Sequence, residues 1–194
     1  PAVINSINWF DGLDGLAAGT TFLVSLFLLV ISFLFKNNLM IYMLSALTGS
    51  CLGFLRFNIY PAKILMGDCG SYFLGYNLAT FSLLALTKDN QNTNLFLAIL
   101  FLIVPLFDMV YVIFLRIKKG LSPYYPDMSH LHHRLMNLGL SHNNAVKIIL
   151  SFLHLYSCLL LIIFFNINYV MIIFLTFFIL IIYFFLKRIN RYSS

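Results

Sequence analysis

Three short polar segments interrupt an otherwise apolar chain, and they carry the residues that could do chemistry. We call them the first, second and third islands: residues 8–16, 66–71 and 130–134. The candidate side chains are Asn8, Asp11 and Asp14 in the first island, Asp68 in the second, and His130, His132 and His133 in the third. Ionisable groups are costly near lipid, so such a gathering indicates a site rather than chance.

The first island combines two carboxylates and an amide with two glycines. Asp11 and Asp14 are three residues apart and would share one face of a helical turn. Such a set can hold Mg²⁺-bound phosphates or hydrogen-bond a base or sugar, and Gly12 and Gly15 permit close backbone approach. The alternative is a simple helix entry in which Asp and Asn cap the helix. Two Asp residues with Asn and two Gly favour the site.

The second island places Asp68 between Gly67 and Gly70. One or two carboxylates, completed by phosphate oxygens, are what Mg²⁺ prefers. Gly70 and Ser71 could also offer backbone N–H groups to an anion at a helix N-terminus. An Asx-type turn with a serine cap explains this segment equally well.

The third island follows a loop that contains Pro123, Pro126 and Asp127. Three closely spaced imidazoles could bind a transition metal. They could equally donate hydrogen bonds to phosphates, which the neighbouring cations favour. A basic loop that touches lipid headgroups is the simpler alternative. His142 is interpreted as a surface residue, and His154 as a packed residue within a span.

Asp108 lies inside a predicted span, three residues after Pro105. A carboxylate at that depth needs a partner or a water-filled cavity. Arg116, Lys63 or a histidine could be that partner. Support of the site and a direct role in it are equally good readings.

Composition determines the class of protein. The chain is 61% hydrophobic and 9% charged, with a mean hydropathy of +0.94. Soluble domains are about half apolar and a quarter charged, so we predict an all-α polytopic integral membrane protein. Six apolar segments are long enough to span a bilayer: 16–35, 39–57, 70–87, 95–115, 145–165 and 168–186. We treat 1–194 as one transmembrane catalytic domain.

Charge predicts the orientation of these spans. With the N-terminus inside, ten of the twelve Lys and Arg residues are cytoplasmic, and only Lys36 and Lys88 are outside. Inner loops are enriched in cations, so this orientation is favoured and all three islands face the cytoplasm. The net charge of +6 therefore reflects the lipid bilayer and anionic substrates, and no nucleic acid is expected as a partner.

The ordered islands resemble one family, the polyprenyl-phosphate N-acetylhexosamine-1-phosphate transferases, within the group that includes phospho-N-acetylmuramoyl-pentapeptide transferase. The resemblance covers nearly the whole chain. The matching motifs are Asn8-x-x-Asp11-Gly12-x-Asp14-Gly15-Leu16, Met66-Gly67-Asp68-x-Gly70-Ser71, Pro105-x-x-Asp108, Arg116, Gly120-x-Ser122-Pro123 and Asp127-x-x-His130-x-His132-His133. Leu131 separates His130 from His132, and Arg134 follows His133, which is similar to the branch that uses UDP-N-acetylglucosamine.

The resemblance implies an activity and a set of partners. N-acetylhexosamine-1-phosphate would pass from a UDP-N-acetylhexosamine to polyprenyl phosphate, with release of UMP, to start O-antigen, teichoic acid or similar surface glycans. The expected location is the bacterial plasma membrane, with the site on the cytoplasmic face, and a homodimer is compatible with this. The family also uses an Asp-Asp pair on an earlier loop. No Asp-Asp dipeptide occurs here, so we expect an N-terminal half to be missing.

The resemblance also implies a role for each residue. Asp68 is expected to ligate Mg²⁺, with Mn²⁺ as a substitute, and to be catalytic together with Asp11 and Asp14. Substrate contacts are expected from Asn8, Asp11, Asp14, Arg116, His130, His132 and His133. A transporter and a non-catalytic subunit are the rival classes. Charges at the ends of spans disfavour the first, and the intact islands disfavour the second.

Overall fold

The computed structural model describes residues 1–87, 94–165, 172–173, 175–177 and 179–181. Eight helices account for most of this part of the chain and confirm the all-α prediction. They are α1 (Ala2–Phe10), α2 (Leu16–Leu34), α3 (Asn38–Asn58), α4 (Gly67–Ala85), α5 (Leu95–Phe101), α6 (Ile103–Lys118), α7 (Leu131–Asn137) and α8 (His142–Phe165).

The part of the chain that the structure describes contains fewer helices long and apolar enough to cross a membrane than the five spans predicted there. Among the described residues these are α2, α3 and α8, with α5 and α6 as a fourth if that bent pair is one span. Helix α4 has 19 residues but is not among them; polar side chains such as Asn77 and Thr80 reduce its hydropathy. The predicted span 168–186 lies mostly outside the described residues. A polytopic membrane protein is nevertheless confirmed.

The predicted span 95–115 is broken, which corrects the expectation of one continuous helix. Helices α5 and α6 meet at Leu102 with a bend of 79°. Pro105 lies in the first turn of α6, where a missing backbone N–H is tolerated. A continuous helix would need that N–H to bond to the carbonyl of Phe101, and the proline ring would clash there. The chain therefore ends one helix at Phe101 and begins another.

Helix α2 is the centre of the bundle. In the most apolar 18 residues of α2, 83% of the residues are buried. The same share is 33% in α3 and 39% in α8. Helix α2 contacts α3, α4 and α8, and Phe27, Leu28 and Ile31 are fully buried. An all-round apolar helix is expected at such a position. The outer helices expose apolar side chains, as lipid-facing helices do.

Helix α1 lies directly on α4. A Cβ added at Gly75 of α4 would come 2.7 Å from the Cα of Ile4, so only glycine permits this approach. The contact fixes the end of α1, and with it Asn8, against the first turn of α4.

The two ends of the bundle differ in character. At one end Asn37 Nδ2 donates to the carbonyl of Leu84 (3.3 Å), and the rings of Phe35 and Phe165 are 5.7 Å apart. At the other end the start of α2 meets the end of α3 and the starts of α4 and α8. All three islands lie at this second end, since each of them contacts another across helices, as described next.

Candidate active site

The first and second islands are joined through one amide. Asn8, in the last turn of α1, donates from Nδ2 to Asp68 Oδ1 and to Ser71 Oγ, both at 2.9 Å. Asp68 and Ser71 belong to the first turn of α4. Asp68 is an exposed residue, and the bond from Asn8 orients its carboxylate. The packing of α1 on Gly75 therefore positions a candidate metal ligand.

Three carboxylates gather around this junction. Burial, and then the charges of Asp68 and Asp14, raises the pKa of Asp11 from 3.8 to about 6. Like charges that lie close together resist simultaneous ionisation, so a bound cation would relieve the repulsion. Among the described residues no group of three or more His, Cys, Asp or Glu side chains has the arrangement of a metal centre. A single carboxylate such as Asp68 suits a Mg²⁺ ion that would take its other ligands from phosphate and water.

The first and third islands meet where a ring lies against a glycine. A Cβ added at Gly12 would come 2.1 Å from His132 Nε2, so the imidazole occupies the space that a side chain would need. His132 is only 1% exposed, and its Nδ1 has no hydrogen-bond partner among the described residues. Burial, followed by the neighbouring His133 and His130, lowers the pKa of His132 to about 4. It is therefore a neutral imidazole at physiological pH.

The other two histidines flank His132. The ring of His130 is parallel to that of His132 at 5.7 Å, and the ring of His133 is 4.3 Å away. The close rings bring three imidazole groups together in the third island. Their substrate contacts stay a prediction.

Asp108 holds the third island in place. The sequence predicted that this carboxylate needs a partner, and the partner is His130. The Oδ2 of Asp108 lies 2.8 Å from His130 Nδ1, and its Oδ1 accepts from the backbone N–H of Leu131 at 2.7 Å. Asp108 is 4% exposed. A carboxylate on Nδ1 fixes the tautomer and ring direction of an imidazole. The structure thus shows Asp108 in a supporting position.

Arg116 ties down the loop before the histidines. Its Nη2 and Nε donate to Asp127 Oδ1 at 2.6 and 3.1 Å, and its Nη1 donates to the carbonyl of Pro123 at 2.6 Å. The guanidinium also lies 4.9 Å from the ring centre of Trp9 and is 4% exposed. Burial acts to raise the pKa of Asp127, but hydrogen bonds from Arg116 and Ser129 hold it below its usual value. A contact between Arg116 and substrate stays a prediction.

Two residues that sequence reasoning did not select complete the junction. Asn58, 3% exposed at the end of α3, accepts from the Gly15 N–H at 3.0 Å and donates to the Ile64 carbonyl at 2.9 Å. His142, expected to be only a surface residue, accepts at Nε2 from the Asp14 N–H at 2.9 Å. Each residue lies at the end of an apolar segment. Many ordinary polar residues have such a position, so the sequence does not indicate that these two belong to the site.

Asp14 is held at its side chain as well as its backbone. Its Oδ2 accepts from the N–H of Ala62 at 3.0 Å, in the segment between α3 and α4. The turn of the first island is thus bonded to three separate parts of the chain. Such a turn is a rigid support for the carboxylates on it.

Comparison with known proteins gives a family match and several relatives. The family described as glycosyl transferase family 4 matches residues 1–86. A Bacillus subtilis protein described as a probable undecaprenyl-phosphate N-acetylglucosaminyl 1-phosphate transferase is 44% identical over 148 residues, which is 76% of this chain and 41% of that protein. The family match includes the first and second islands.

Two further relatives represent both branches of the resemblance. A Mycobacterium leprae decaprenyl-phosphate N-acetylglucosaminephosphotransferase is 37% identical, over 76% of this chain and 42% of its own length. A Caldicellulosiruptor bescii phospho-N-acetylmuramoyl-pentapeptide-transferase is 38% identical, over 81% and 47%. The chain thus spans less than half the length of these relatives.

Proposed function

We propose, from the premise that this chain belongs to glycosyl transferase family 4, that its site transfers N-acetylglucosamine-1-phosphate from a UDP-sugar to polyprenyl phosphate and releases UMP. The observation that carries the proposal is the junction of the three islands: Asn8 bonds Asp68, and His132 packs on Gly12. The relatives are sugar-phosphate transferases by description, which supports a transferase.

The pentapeptide transferase is the second candidate, since three relatives carry that description. Consecutive histidines followed by an acidic residue are expected there, whereas Leu131 interrupts the histidines here and Arg134 follows them. The spacing supports N-acetylglucosamine. The glycan that the product would start, such as O-antigen or teichoic acid, is part of the same proposal.

Asp68 is proposed as the magnesium ligand. The Asn8 amide holds one of its oxygens, and the raised pKa of Asp11 reflects crowding of negative charge that a divalent cation would offset. Mg²⁺, or Mn²⁺ in its place, would supply charge neutralisation of the donor's diphosphate. Phosphoryl transfer depends mainly on such positioning and charge stabilisation.

The donor is proposed to lie across the three islands. Asn8, Asp11 and Asp14 would shape the nucleotide-sugar pocket, with Asp14 near the uridine. The three histidines would contact the sugar and phosphates. Because Asp108 occupies Nδ1 of His130, the second nitrogen of that ring is the one left for a substrate. Arg116 would contact the donor only with the N–H groups that remain, because Nε, Nη1 and Nη2 each already donate to Asp127 or Pro123.

The acceptor's lipid is proposed to lie between α6, α7 and α8. A groove of about 390 Å³ opens there, lined mostly by apolar side chains, with Asp108 and Arg134 also on its wall. Phe107 and Phe152 in its lining are 64% and 59% exposed, as lipid-facing residues would be. A groove with apolar walls and a cation, Arg134, among its lining residues suits a lipid phosphate.

The setting is proposed to be the bacterial plasma membrane, with the site on the cytoplasmic side. Membrane-crossing helices and bacterial relatives support the setting, and the distribution of cations supports the orientation. A homodimer is compatible with the proposal.

The test measures UMP release from UDP-N-acetylglucosamine by the protein expressed from its whole gene, in membranes. Release that depends on both polyprenyl phosphate and Mg²⁺, and that EDTA stops, is the expected result. Sugar flux across vesicles without UMP release would support a transporter instead. Absence of Mg²⁺-dependent UDP-sugar binding would support a non-catalytic subunit.

A further inference from the structure

His142 occupies an unexpected place for a residue 128 positions away from Asp14. It is the first residue of α8, and its Nε2 lies 2.9 Å from the Asp14 backbone nitrogen. Its ring packs on Tyr60, with the ring centres 4.5 Å apart and the planes tilted by 31°. The imidazole therefore connects the start of α8, the turn of the first island and the segment that follows α3.

The direction of the hydrogen bond determines the state of the ring. The Asp14 nitrogen is a backbone N–H and can only donate, so Nε2 must accept with its lone pair. Only a neutral imidazole that carries its proton on Nδ1 can do this. A second proton would place two donors face to face and break the contact.

The Asp14 N–H has a particular importance. It lies just before α2, where backbone N–H groups lack partners within the helix. The next N–H, of Gly15, is satisfied by Asn58, and the Asp14 carboxylate is held by the N–H of Ala62. Without the imidazole the Asp14 backbone would lose one of the bonds that set the direction of its carboxylate.

We infer that His142 is a positioning residue for the transfer reaction, in which its neutral ring fixes Asp14 for the nucleotide end of the donor. The inference rests on the proposed function. Among the described residues, His142 accepts from the backbone N–H of Asp14, packs on the ring of Tyr60 and interacts with the charge of His132. None of them replaces the acceptor that Nε2 provides.

The test separates the acceptor from the ring. His142→Gln keeps an acceptor at about the reach of Nε2, whereas His142→Phe keeps the packing on Tyr60 without an acceptor. We expect the Gln variant to stay within about threefold of wild type, and the Phe variant to raise KM for UDP-N-acetylglucosamine on the order of 10- to 100-fold. KM for polyprenyl phosphate should not change, because Asp14 is assigned to the donor.

Folding is controlled by a third variant and a melting measurement. His142→Asn is polar and suited to the first turn of a helix, but its side chain is too short to reach the Asp14 nitrogen. It should behave like the Phe variant, with a Tm close to wild type. If the Phe variant does not fold, the Asn variant answers the question.

Rescue by His142→Gln, and an effect confined to KM for the donor, are the readouts that a merely structural role would not reproduce. Phe and Asn variants with a wild-type donor KM, or a Gln variant as impaired as Phe, would overturn the positioning role. Wild-type protein that releases no UMP would instead refute the proposed function.

Discussion

The Gly12→Ala substitution tests the junction of the first and third islands most directly. The new Cβ would come 2.1 Å from His132 Nε2 and 2.5 Å from its Cε1, whereas ordinary contacts begin at 3.4 Å. The imidazole must therefore retreat by about 1.3 Å. Gly12 does not have a positive φ, so alanine suits the backbone and the clash is the main effect.

The displaced ring has little room to move. His132 is 1% exposed and is packed between His130 and His133. A misplacement of about 1 Å in an active site can reduce the rate on the order of 100-fold. We expect kcat/KM for UMP release to fall by about that factor, and Tm to fall as well, because overpacking a buried site costs about 1–3 kcal/mol.

The control is Gly49→Ala on the outer face of α3, where a Cβ would meet nothing within 4 Å. It should leave activity unchanged. The double variant Gly12→Ala with His132→Ala should be no worse than His132→Ala alone, since the clash then has no target. A Gly12→Ala enzyme with wild-type turnover would refute the contact between these islands.

Three further predictions follow from the same site. Asp68→Asn should abolish Mg²⁺-dependent UMP release with little change in Tm, while the neighbouring exposed Cys69→Ser should be active; turnover by the Asn variant would exclude Asp68 as a ligand. Asp11→Asn should lower activity yet raise Tm at pH 7.5. The pKa of Asp11 in the folded protein, about 6, lies above its ordinary value of 3.8, so wild type loses stability as pH rises from about 4 to about 6. The higher Tm of the variant should therefore approach that of wild type towards pH 4. A difference in Tm that is the same at every pH would contradict this. Asn58→Leu leaves the Gly15 N–H and the Ile64 carbonyl unpaired and should cost about 1–3 kcal/mol of unfolding free energy for each group. Asn77→Leu, on a half-buried residue whose Nδ2 donates to the Phe73 carbonyl within α4, is its control in denaturant titration.

Much of the site was recognisable because polar residues in an apolar chain are conspicuous. Asn8, Asp11, Asp14, Asp68 and the histidines stood out individually, because a membrane chain rarely keeps such groups without a reason. The need of Asp108 for a partner was also predictable. Which partner it had was not, since three candidates met the requirement equally and only the packing of α6 beside α7 selected His130.

The remaining residues depended on contacts that have no local pattern. Asn58 and His142 each follow or precede an apolar span, as many ordinary residues do. Their importance comes from bonds to Gly15 and Asp14 over 43 and 128 positions of sequence. Hydropathy does not predict the break at Leu102 for a related reason. It averages over many residues and does not register that Pro105 prevents one continuous helix.

Sequence alone determined the class of this protein, its islands and its family resemblance, because hydropathy, charge and motif order are properties of consecutive residues. Tertiary structure decided which island bonds to which, how Arg116 is occupied, and that a histidine at the start of α8 supports Asp14. These contacts depend on how helices pack around α2. A close approach such as Ile4 on Gly75 sets that packing, and it becomes visible only when distant segments are brought together.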